Sequence, residues 1–194
     1  MLSALTNHRT FDWNKIMHYN PDAPHVNPAG VADEPFHAAA CQTGCAEAIA
    51  RGRALGWKGP ILPFPVMYSG DAMTPAATGN TSLEPIAIVP ACQPYSIRRA
   101  VTSGEHVMIL PQLDLGKTKT ARLIRDHRAA VQECFGVFVD DFNDLHGRGF
   151  RLHGSHILNC PIDEEILVMP FACSCALDAV RGVAHDVVNG RVST

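Results

Sequence analysis

The chain has 194 residues, of which 46% are hydrophobic and 18% charged, and a formal net charge of −3 at pH 7. That balance is globular and long enough for one sizeable core, and it offers no broad positive field to nucleic acid or to an acidic membrane surface. No apolar run approaches the roughly 20 residues of a membrane span, and the opening stretch lacks the apolar centre of a secretion signal, so synthesis in the cytoplasm is the expectation.

In chain order, residues 1–34 read as an extended N-terminal arm. Phe11, Trp13, Ile16, Met17 and Tyr19 come first, and Pro21, Pro24 and Pro28 then exclude a regular interior element. The aromatic residues need a surface to dock on, either the chain's own body or a neighbour. Residues 35–194 read as a single α+β domain. Asp33-Glu34-Pro35 has the form of a helix start, a capping carboxylate followed by an acid and a proline, and predicts an alanine-rich helix to about Leu55.

From 57 to 113 short β-type runs alternate with turn residues: ILPFPVMYSG, LEPIAIVPA, YSIRRAVTSG and EHVMILPQL. Ser103-Gly104 reads as a hairpin loop between the last two, and Pro63, Pro65, Pro85 and Pro90 point to edge strands or bulges. The expectation is a small antiparallel sheet or barrel, whose edges must be covered or else pair with another chain.

The segment 117–146 has the clearest periodicity. Ile124, His127, Val131, Phe135, Phe138, Phe142 and Leu145 recur three or four apart and predict one long amphipathic helix, with Asp114 as candidate cap and Gly147 as its terminator. Its charge order opposes the helix dipole, with Lys117, Lys119, Arg122, Arg125 and Arg128 in the first half and Glu133, Asp140, Asp141 and Asp144 in the second. An antiparallel copy of the same helix would relieve that. The region 157–189 completes the domain with a strand at EEILVMPF and a last helix capped by Ser174, CALDAVRGVAHDVV.

Candidate chemistry rests on seven cysteines and ten histidines. His37, Cys41 and Cys45 fall at i, i+4 and i+8 on the first helix, where they could share a face as zinc ligands, but no fourth ligand stands at a recognised spacing. His146, His153, His156, Cys160, Cys173 and Cys175 gather soft ligands near the C-terminus with only His153-x-x-His156 as a tight pair. Gly116-Lys117-Thr118 resembles the end of a phosphate loop, yet Pro111 stands where its first glycine is needed. Asp140-Asp141 and Glu164-Glu165 are adjacent acids that point apart. These patterns assign no catalytic, cofactor-binding or metal residue, and no cofactor is expected. The alternative that keeps them is a small Cys/His-dependent metal-binding protein or thiol enzyme.

In general build the chain resembles subunits of virus or bacteriophage particles: a proline-rich arm, a β-unit with interrupted edges, one long helix and no catalytic signature. The likeness is one of build and not of motif. It implies a non-enzymatic structural subunit of a symmetric assembly, a virion component such as a capsid-decorating, neck or tail protein. Such a subunit is made in the cytoplasm, resides in the particle, and has copies of itself and other subunits as partners, with no membrane and no specific nucleic acid. Phe11, Trp13 and Tyr19 are then candidate interface residues. Cys41, Cys45, Cys92, Cys160, Cys173 and Cys175 are candidates for disulfides, including bonds between subunits.

Overall fold

Residues 1–6, 11–22, 34–70, 84–99, 104–110 and 120–177 are described by a computed structural model of the chain. The fold is α+β, built on a curled, mixed five-stranded sheet. Its strands are β1 (Ile61–Gly70), β2 (Glu84–Pro90), β3 (Glu105–Leu110), β4 (Phe150–His153) and β5 (Glu165–Leu177), in the spatial order β3-β2-β1-β5-β4. The pairs β1–β2, β2–β3 and β4–β5 are antiparallel, whereas β1 and β5 run parallel, with Ile61 opposite Leu167. The expected antiparallel sheet is therefore corrected at its centre, where a strand from the end of the described chain is laid beside the first.

The prolines do not restrict their strands to the edges. Pro63 and Pro65 lie in β1, which has β5 on one side and β2 on the other. They are tolerated because β2 reaches only the half of β1 from Val66 to Gly70. The carbonyl of Pro65 points to the β2 side, where it accepts a bond from the Ala91 backbone at 2.8 Å. A strand residue's N–H and C=O point the same way, so the missing N–H of Pro65 faces a side on which the ladder has already stopped. Pro170 of β5 is placed likewise, because β4 pairs only with Glu165 to Val168.

Alternation fixes two faces. One face carries Leu62, Phe64, Val66 and Tyr68 of β1, with Ile86 and Ile88 of β2, all buried. The other carries Ile61, Leu167 and Phe171. Helix α2 (Ala39–Ala54) lies on this second face. Gly44 lets it come close, since a Cβ there would stand 2.4 Å from the Phe171 ring. The first face is covered at one end by α4 (Ala121–Arg148), whose Phe138 and Phe142 each meet the Tyr68 ring edge-on at 5.4 Å. At the other end Phe11 sits 5.9 Å from Phe64.

The start of the chain departs from an extended arm where it is described. Leu2–Thr6 form the short helix α1, Leu5, Phe11 and Ile16 belong to the core, and the Met17 backbone donates to Cys92 O at 2.7 Å. Asp12 is tied in by Asn159 Nδ2 at 3.0 Å, Asn14 N at 3.1 Å and Lys15 Nζ at 3.2 Å. The Asn159 hydrogen bond does most to lower its pKa, with Asn14 and Lys15 adding to it against burial.

Other boundaries also shift. Helix α2 begins at Ala39, behind a 3-10 turn over Pro35–His37, and not at the carboxylates. Glu34 is used elsewhere: its carboxylate accepts from the Tyr95 backbone at 2.7 Å and pairs with Arg98. That anchor, together with Pro94, winds Tyr95–Arg98 into the single turn α3 where a strand is expected. Thr120 caps α4, its Oγ1 accepting from Leu123 N at 3.3 Å. The helix runs through Gly147 and stops at Gly149, whose φ of 63° suits glycine. Ser174–Leu177 extend β5 instead of opening a last helix, because Gly70 of β1 supplies a ladder partner as far as Leu177. Asp114, Lys117, Lys119, the Pro24–Pro28 stretch and the remainder of the expected last helix lie outside the described residues.

Candidate functional site

The cysteines converge more than their spacing suggests. Cys41 on α2 meets both Cys45, one turn further along the helix, and Cys173, the extra residue of a β5 bulge between the partners of Val66 and Met67. Cys92 lies near both Cys41 and Cys173. Cys41, Cys45 and Cys92 are buried, with 1%, 0% and 2% exposure, so none of the three presents a thiol to a neighbouring subunit. Cys160 and Cys173 are half-buried, and the side chain of Cys175 lies outside the described residues.

Four of these thiols, Cys41, Cys92, Cys160 and Cys173, have raised pKa values. The Cys173 hydrogen bond pulls the Cys41 pKa down, but Cys45 and burial outweigh it and the thiol ends at about 12. Burial pushes Cys92 up to about 12. The hydrogen bond with Cys41, followed by burial, raises Cys173, and burial raises Cys160. Attack requires the thiolate, which such surroundings suppress at neutral pH. Among the described residues no group of three or more His, Cys, Asp or Glu side chains is arranged to hold a metal ion, so His37 with Cys41 and Cys45 does not form a centre. His153 instead turns back on Ser155, its Nδ1 2.8 Å from Oγ.

Of the candidate interface residues, Phe11 is fully buried inside its own chain and has no surface to offer a partner. Trp13 and Tyr19 are half-buried against the same core.

A cleft of about 510 Å³ that no sequence pattern announces lies beside the part of β5 that β4 leaves uncovered. Helix α2 contributes Thr43, Glu47 and Arg51, α4 contributes Phe138, Phe142, Asn143 and His146, and the sheet contributes Tyr68 and Phe171. The geometry follows from Pro170. With no strand beyond it on that side, its carbonyl meets His146 Nδ1 at 3.1 Å, which brings the last turn of α4 to the sheet edge. Arg51 approaches from the opposite face of the sheet, its Nη2 3.4 Å from the same Nδ1.

The electrostatics are set by these neighbours. Burial and then the Arg51 charge lower the His146 pKa, against the opposing pull of the Pro170 carbonyl and Glu47. The imidazole is thereby held neutral in the neutral pH range beside a guanidinium. Burial also lowers the Arg51 pKa somewhat, which Glu47 counters, and an arginine remains charged throughout. A local sequence signal does exist in the proline inside EEILVMPF, which exposes a carbonyl that something must satisfy. Nothing local singles out Arg51, which is brought in by tertiary packing.

Searches of protein-family models, curated proteins and solved structures find no match to this chain. Among the described residues no helix is long and apolar enough to cross a membrane.

Proposed function

We propose that the protein is a non-enzymatic structural subunit of a symmetric assembly, of the kind that builds virus or bacteriophage particles. The observation that carries the reading is the part of the second sheet face that no described element covers. Helix α2 covers that face over β1 and β5, but over β2 and β3 Val107 and Ile109 stand 36% and 59% exposed, beside half-buried Pro85, Ala87 and Val89. A contiguous apolar surface of this sort is characteristic of a protein contact site. Val107 is the extra residue of a bulge, since Ile86 pairs with Met108 and Ala87 with His106. A bulge blunts the lengthening of a sheet by a further strand, so contact here is made through side chains.

Helix α4 supports the same reading. At 1.5 Å per residue its 28 residues span about 42 Å, and its buried residues, Phe135 and Phe142, both lie in the second half. Arg122, Arg125 and Arg128 precede that half and Asp140, Asp141 and Asp144 lie within it, so an antiparallel pair of copies sets each cluster against its opposite. Trp13 and Tyr19 flank the body as further contacts. In oxidising surroundings Cys160 and Cys173, the half-buried thiols of the candidate set, are those open to a bond between subunits.

Light scattering coupled to size exclusion tests the proposal. The expected result is a defined oligomer that Ile109→Lys dissociates into subunits that stay folded and melt cooperatively. A clean monomer at roughly 100 µM would overturn it. A single band on a non-reducing gel of native material, with every thiol titratable, would remove the disulfide part alone.

A further inference from the structure

Arg51 is a charged group that its surroundings do not fully employ. The described residues give its guanidinium one acceptor, His146 Nδ1, at a long 3.4 Å, and its buried Nε has no partner among them. The acceptor is itself contested. Pro170 O lies 3.1 Å from the same Nδ1 and has no proton to give. When Nδ1 carries the proton it donates to Pro170 and accepts nothing from Arg51; when it is bare it can accept from Arg51, and the proline carbonyl is left unmet. Either tautomer leaves one of the two groups short of a partner, a deficit that an added acceptor would relieve.

The space beside this unsatisfied pair is the cleft of about 510 Å³, walled by Phe138, Phe142 and Phe171 and floored by Tyr68. A cleft of that size with aromatic walls and a few convergent polar groups has the anatomy of a small-molecule site. We infer that it binds a small organic monocarboxylate with an aromatic or branched apolar body. The carboxylate sits against the Nη end of Arg51, which frees His146 to donate to Pro170, and the apolar body lies among the phenylalanines. Thr43 and Asn143 stand in the wall as further hydrogen-bonding groups. Glu47, exposed on α2 one turn before Arg51, places a negative charge at the rim, which disfavours a dicarboxylate.

The test uses the full chain and three ligands of one shape: 3-phenylpropanoate, its neutral amide, and 3-phenylpropylamine, each titrated calorimetrically at pH 7.5. The expected result is binding of the carboxylate at or below about 1 mM, with the amide and the amine weaker by roughly tenfold or more. Arg51→Gln is expected to weaken the carboxylate by roughly tenfold or more. Thr43→Trp, at an exposed position in the wall, is expected to abolish binding while the melting temperature stays unchanged. The inference is overturned if the carboxylate does not bind by on the order of 10 mM, if the amide or the amine binds as well, or if Thr43→Trp binds normally. Because the ligand comparison is made on the unaltered protein, it decides the matter even where Arg51→Gln fails to fold.

Discussion

The β1–β5 pair and the β2–β3 pair share one sheet but differ in what lies over them. β1 and β5 are covered twice, by α2 on one face and by Phe11 and α4 on the other, and Ile166 through Phe171 are buried without a break. Among the described residues β2 and β3 are covered once, by the Ile86, Leu110 and Phe135 cluster under α4, and Val107 and Ile109 are exposed on their other face. A strand buried on both faces spends its hydrophobicity on its own fold, whereas a strand buried on one face has some left to offer outward.

Substitutions measure that contrast. Phe64→Ala, in the doubly covered pair, is expected to cost roughly 3–5 kcal/mol in denaturant unfolding. Gly149→Ala follows at roughly 2–3 kcal/mol, because a side chain there meets a positive φ and a Cβ would stand 2.7 Å from the Val168 carbonyl. On the singly covered pair, Ile109→Lys is expected to change the stability of the isolated subunit by no more than about 0.5 kcal/mol while it breaks the assembly. A loss of several kcal/mol there would mean that the open face is part of the fold, and the contrast would collapse.

Acid titration gives smaller effects. The folded pKa of His146 is lowered, so below the unfolded histidine value near 6.5 the unfolded chain takes up the proton first. Stability therefore falls as pH drops from about 7 towards the folded pKa, and His146→Gln should flatten that slope in melts at stepped pH. Asp12 acts further down the scale. With its folded pKa lowered, its contribution is present above the unfolded carboxylate value and is lost as pH falls through the folded one; Asp12→Asn should remove the step.

How much of this could be read beforehand depended on whether the signal was local. The short apolar runs ILPFPVMYSG and EEILVMPF predict two strands without reference to the rest of the chain. Their parallel pairing is a long-range fact, and with it went the strand assignment at Tyr95–Arg98, which a distant Glu34 decides. Gly147 and Gly149 are equal candidates by type, and only the approach of Val168 chooses between them. The thiols were visible as a count, but their meeting depends on α2 crossing a bulge. The cleft was least legible, because its polar pair comes from two helices on opposite faces of the sheet.

The partner of Ile61 across the parallel ladder is Leu167, so β2, β3 and α4 are all synthesised between the two central strands. As the polypeptide leaves the ribosome, β1 emerges with its best neighbour still unmade, and β2 and β3 can pair with it from one side only. Closing so long a loop before the sheet's centre exists makes for slow folding, with greasy strands open to sticking in the meantime. A fragment that stops short of Glu165 lacks the central strand, and its product should be recovered as aggregate, whatever the merits of its hairpin and helices.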